Sequence, residues 1–135
     1  MSEPSLDLRT FPDDWPEGCP PTDAAATAGD YYRVTRREVP TAEDFRSHRE
    51  LEKLPKAPPC LRAGLSTFRA LEEAERMALL FPVLGAFVAM GRLDAAYGLS
   101  LLTPGREPTH TTVWPYMRTD RASPFLHVCS VRRPS

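Results

Sequence analysis

Proline is the strongest constraint on what this chain can fold into: 15 of its 135 residues are proline, roughly twice the ordinary 5%. Each removes a backbone donor and biases the residue before it toward extended geometry, so long helices are excluded wherever prolines cluster. They cluster at the start, at Pro4, Pro12, Pro16, Pro20 and Pro21. That segment is expected to be irregular. It also carries Phe11 and Trp15, two large aromatics that a wholly solvated tail rarely needs, so Trp15 is expected to pin it down. The division read from this is an irregular, acidic, Pro-rich arm over residues 1–29, packed on a single domain over residues 30–135.

A chain of 135 residues can bury one core and has little room for two. Its net charge of −1 hides an asymmetry. Glu3, Asp7, Asp13, Asp14, Glu17, Asp23 and Asp30 face only Arg9 at the start, ahead of a mildly basic body. The plain reading is a solvated leader, and the sharper one is an arm laid across a basic groove. No apolar stretch approaches the roughly 20 residues that cross a bilayer, and the start carries Glu3 and Asp7 in place of a basic and then apolar signal. Cys19, Cys60 and Cys129 are an odd, scattered set, expected to be reduced thiols. Together these lead to the expectation of a soluble, cytoplasmic protein without a membrane. Arginine outnumbers lysine by 15 to two, and Asn, Gln and Ile are absent, which is what a guanine- and cytosine-rich coding bias produces. The arginine excess therefore says little about phosphate binding, and nucleic acid is not an expected partner.

Residues 30–36 read as a first strand, with Tyr32 and Val34 on one face and Tyr31, Arg33 and Thr35 on the other. Thr41 with Asp44 three positions on resembles a capping box, predicting a helix to Leu54 with Phe45, Leu51 and Leu54 inward, stopped by Pro55. Ser66 or Thr67 is expected to cap the main helix, which runs through Leu80. The apolar run 83–90 is read as a short helix leading into a strand near 88–93. Further strands are expected at 99–102, at 109–114 with His110, Thr112 and Trp114 on one face, and at 125–131. The fold class is α+β, a mainly antiparallel sheet with helices on one side and an irregular N-terminal arm.

Chemistry is sparsely signalled. His127 and Cys129 lie two apart on one strand and His110 could join them, but there is no Cys-x-x-Cys, no His-Glu-x-x-His and no fourth ligand, so no metal site is assigned. Phosphate-cradle and nucleophile-elbow motifs are missing too. The best constellation joins Arg33, able to grip a phosphate bidentately, to Ser66 and Thr67 at a helix start, where hydroxyls and free N–H groups favour an anion.

On Arg33 and Ser66-Thr67 the chain resembles the ADP-ribosyltransferase fold, whose Arg-type members have an arginine on an early strand and a later Ser-Thr-Ser-like strand segment that contacts NAD. The resemblance runs over residues 30–115 in the order of elements, and implies NAD as the ligand of Arg33, Ser66 and Thr67. Those enzymes carry a catalytic glutamate on a later strand. Here the later strand offers His110, Thr112 and Trp114, with Glu107 in the loop before it, so His110 would have to serve as the catalytic acid–base or orienting group.

Two functions are weighed. The first is a non-catalytic binding or interaction module for a protein or small molecule, recognised through Tyr31, Tyr32, Trp114 and Tyr116. The second is an NAD-binding, ADP-ribosyltransferase-like protein with an atypical or degenerate catalytic site. The residues themselves assign no cofactor, and a homo-oligomer is compatible with both. The first is preferred.

Overall fold

A computed structural model describes residues 9–131. Its strands are β1 (Ala25–Ala26), β2 (Gly29–Thr35), β3 (Leu65–Phe68), β4 (Phe87–Leu93), β5 (Gly98–Leu102), β6 (His110–Pro115) and β7 (Phe125–Ser130). All pair antiparallel in one sheet, in the spatial order β1-β5-β6-β3-β2-β4-β7. The helices are α1 (Pro59–Ala63) and α2 (Leu71–Leu80), with three-residue-per-turn segments at Ala42–Phe45 and Pro82–Leu84. The mainly antiparallel sheet with few helices matches the expected class.

The longest pairing runs from Gly29 opposite Leu93 to Thr35 opposite Phe87. Alternation along β2 divides the core in two. Val34 and Tyr32 lie on one face with Phe68, Val88 and the α2 residues Ala74 and Met77. Tyr31 lies on the other with Leu65, Ala89, Leu93, Val113 and Phe125, closed from outside by Phe45 and Tyr97. One ten-residue helix thus covers the first face, and irregular chain covers much of the second.

Two predicted helices are corrected. The main helix begins at Leu71, because residues 65–68 are a central strand with β6 on one side and β2 on the other. Ladder pairing of a β-branched and aromatic segment outweighs the capping preference of Ser66 and Thr67. The expected helix over 41–54 shrinks to Ala42–Phe45. In a helix the carbonyls of Asp44 and Phe45 would accept N–H groups four residues on. Here Arg33 Nε donates to Asp44 O at 2.8 Å and Arg121 Nη1 to Phe45 O at 2.7 Å. Leu51 and Leu54 are accordingly exposed, while Phe45 alone is buried.

Among residues 9–24, Phe11 sits between Trp15 (centroids 5.3 Å) and Tyr116 (5.1 Å). Thr10 O accepts Met117 N–H, and Arg49 donates to Asp14. Phe11 therefore touches the body and Trp15 stacks upon it. Regular structure begins inside the segment read as the arm, because Ala25 and Ala26 pair with β5. Glu3, Pro4 and Asp7 lie outside the described residues.

The expectation of three reduced cysteines is also corrected: Cys19 and Cys60 form a disulfide, and Cys129 is free. Such bonds persist in oxidising compartments and are rare in the cytosol, which removes the argument used for a cytoplasmic location. No helix among the described residues is long and apolar enough to cross a membrane. Closing a loop with a sequence separation of 41 stabilises by about 4 kcal/mol in the chain-entropy account. Reductant is therefore expected to lower the urea midpoint markedly. An unchanged midpoint, with three thiols labelled before reduction, would contradict the pairing.

Candidate functional site

Arg33 leans over the Phe45 ring, its guanidinium carbon 5.4 Å from the ring centroid. Nε donates to Asp44 O and Nη1 to Ser66 O, each at 2.8 Å. Burial lowers its pKa to about 10, opposed by the nearby Tyr97 and Asp44. No ion pair among the described residues includes Arg33. The charge is met by carbonyl dipoles, and the contacts tie residues 36–63, a strap across the second face, to β3.

The register decides which predicted partners share that face. Tyr32 opposite Phe68 sets Arg33 beside Thr67, which lies opposite Thr111 on β6. Thr67 Oγ1 donates to Thr111 O and Thr111 Oγ1 to Thr109 O, and both residues are buried. Ser66 and His110 project the other way. His110 stands edge-on to Phe68, 5.4 Å between centroids, and its Nδ1 contacts Thr103 Oγ1 and O at 2.9 Å. The four residues read as one cleft are thus split, Arg33 with Thr67 on one face and Ser66 with His110 on the other. Because Ser66 and Thr67 are strand residues, the helix-terminus anion site built on them does not exist.

The aromatic recognition surface is corrected in three of its four members, Tyr32 being half-buried. Tyr31, Trp114 and Tyr116 are buried, with Trp114 Nε1 donating to Cys60 O and the Tyr31 hydroxyl meeting Ser100 Oγ. His127 and Cys129 do not share a face, because an irregularity between Val88 and Ala89 shifts β7 by one residue. Among the described residues no group of three His, Cys, Asp or Glu is placed to hold a metal. Burial pushes the Cys129 thiol up, reinforced by Glu75, the opposite of an activated nucleophile.

Among the described residues, three surface features bear on binding. A cleft of about 620 Å³ lies between the arm and the strap, lined by Trp15, Arg49, Glu52 and Arg62 among others; its Arg49 already pairs with Asp14. The edge strand β7 exposes Leu126 and Val128 and carries an irregularity in its pairing with β4. The third is an apolar ridge over residues 79–83, where Leu79, Leu80, Phe81 and Val83 are 45%, 50%, 36% and 69% exposed.

The ridge is built by the end of α2. Ala74 and Ala78 take the buried stripe, and Pro82 stops the helix. Phe81 N–H closes on Met77 O, and Gly85 N–H on Pro82 O. Gly85 has φ +136°, and a Cβ there would run into the Thr35 carbonyl, so the turn sits tight against β2. Arg36 Nη2 donates to Val83 O at 3.1 Å, and the Arg106 guanidinium lies 5.4 Å above the Phe81 ring. The signal was present in the sequence as Leu-Leu-Phe-Pro-Val, but an apolar run reads first as core.

The chain matches no described protein family, no curated protein and no solved structure. Its function rests on its own geometry.

One titratable group in the strap stands out. His48 Nδ1 is buried without a hydrogen-bond partner, and its pKa is lowered by desolvation first and then by Arg33, Lys53 and Arg62. Below its ordinary value of 6.5 the unfolded chain binds a proton that the folded chain resists, so stability falls as pH drops. The urea midpoint should be lower at pH 5.5 than at pH 7.5, and His48→Gln should reduce that difference. Identical pH dependence in both proteins would remove His48 as the cause.

Proposed function

We propose that the protein is a non-catalytic binding module that docks a partner protein on the ridge formed by Leu79, Leu80, Phe81 and Val83. The observation that carries this is four large apolar side chains exposed within five consecutive residues. Single exposed hydrophobics are ordinary, whereas contiguous ones mark contact surfaces. The tight turn at Gly85 and the contacts of Arg36 and Arg106 hold the ridge in one shape, which lowers the entropy lost on binding.

The NAD-binding reading keeps one supporting observation: Ser66 and Thr67 lie on a strand beside the strand of Arg33, as in the family the chain resembles. Against it, the row Arg33, Thr67 and Thr111 contains no carboxylate to stabilise an oxocarbenium-like transition state. Glu107 is buried in an ion pair with Arg76, and His110 is on the far face.

A photo-crosslinking residue substituted at Val83 is expected to give a discrete protein adduct in cells. Adding Leu80→Asp should abolish it without changing the melting temperature by more than a degree or two, because Leu80 is exposed. An adduct indifferent to Leu80→Asp, or no adduct beyond that of a probe at the exposed Glu52, would contradict the proposal.

A further inference from the structure

Resting on the docking reading, we propose that the segment received by the ridge is an apolar one flanked by carboxylates, which Arg36 beside Val83 and Arg106 beside Phe81 take. Both arginines are exposed and both touch the ridge. Arg106 stacks on Phe81, and Arg36 is held by the Val83 carbonyl.

Their charges differ in situation from those of their neighbours. Arg37 is paired with Asp44, Arg76 with Glu107 and Arg92 with Asp30. No ion pair among the described residues includes Arg36 or Arg106. Arg76 is the informative comparison, since it lies on α2 just before the ridge and its charge is already matched within the chain. The two guanidiniums in contact with the apolar residues are the ones left for another molecule.

Their placement fits carboxylates. A guanidinium stacked on a ring, or bonded through one nitrogen, keeps in-plane N–H donors that match a carboxylate fork. An apolar centre with a polar rim is the usual anatomy of a protein interface. Arg106 touches residue 81 and Arg36 residue 83, so a short segment with one or two large apolar residues between two acids spans the site.

An anionic membrane is the competing surface. Four side chains at a helix end form no long amphipathic face, two arginines contribute about 1 kcal/mol each at such a surface, and the chain has a net charge of −1. The geometry therefore favours a peptide segment.

The test is fluorescence anisotropy on the full chain with three labelled peptides that share a Leu-Phe core, flanked by Glu, by Ser or by Lys. The Glu-flanked peptide should bind at least about tenfold more tightly than the Ser-flanked one at low salt and lose that advantage as salt rises. Arg106→Ala, which removes a contact with one ring only, and Arg36→Ala should each reduce the advantage. Leu80→Asp should weaken all binding. Equal affinity for the three peptides, with sensitivity to Leu80→Asp, would overturn the carboxylate proposal and leave the docking surface standing. Peptide binding indifferent to Leu80→Asp would remove the docking surface as well. Failure of the Glu-flanked peptide to bind at millimolar concentration, or arginine-dependent binding to phosphatidylserine vesicles in its place, would also overturn the proposal.

Discussion

The second face of the sheet depends on the Arg33 guanidinium, which donates to Ser66 O on β3 and to Asp44 O on the strap. A seven-stranded sheet has two faces to cover, and this chain supplies one helix of ten residues. The strap that helps cover the other face is largely irregular, so its backbone groups need partners from elsewhere. Arg33 and Arg121 provide them, Arg121 through Phe45 O and Glu50, while the Asp44 carboxylate accepts the N–H groups of Arg36 and Thr41. Desolvation is the largest cause that lowers the Arg33 pKa, to about 10, and the two hydrogen bonds from its charged nitrogens to carbonyls oppose that cost.

That tie explains why the polar residues near the middle of the sheet are poor candidates for chemistry. A binding arginine needs donors directed at a ligand, and two Arg33 nitrogens are directed at carbonyls. The threonine hydroxyls beside it are satisfied by backbone oxygens. On the opposite face α2 covers Val88 and Phe68 but ends before covering its own last turn, where Pro82 and Gly85 redirect the chain into β4. The ridge is the result of that short helix. Burial is satisfied upstream by Ala74 and Ala78, and the larger residues that follow are left in solvent.

Much of the sheet was legible in the sequence. Period-two alternation marked β2 and β6, a run after Pro124 marked β7, and a short β-forming run between turns marked β5. β3 was lost because Ser66 and Thr67 satisfy a local capping rule, whereas pairing with strands distant in sequence decides their state. The four candidate residues fall on two faces for a related reason. In a strand a shift of one residue changes the face, so Thr67 meets Arg33 while Ser66 points away, and that parity is invisible when the segment is read as a helix. The strap could not be read because its helix is interrupted by Arg33 and by Arg121, which lies 76 positions from the carbonyl it binds. The disulfide was missed because three cysteines allow several pairings and none.

The central proposal is that Arg33, Ser66 and Thr67 serve the fold and do not form an NAD site. The direct measurement is a titration of isotope-labelled protein with NAD to millimolar concentration, followed through the backbone amide resonances of residues 65–68 and the side-chain Nε resonance of Arg33. The account predicts that these signals do not move. Saturable shifts of the Ser66, Thr67 and Arg33 signals, abolished by Arg33→Lys in a variant that remains folded, would contradict it.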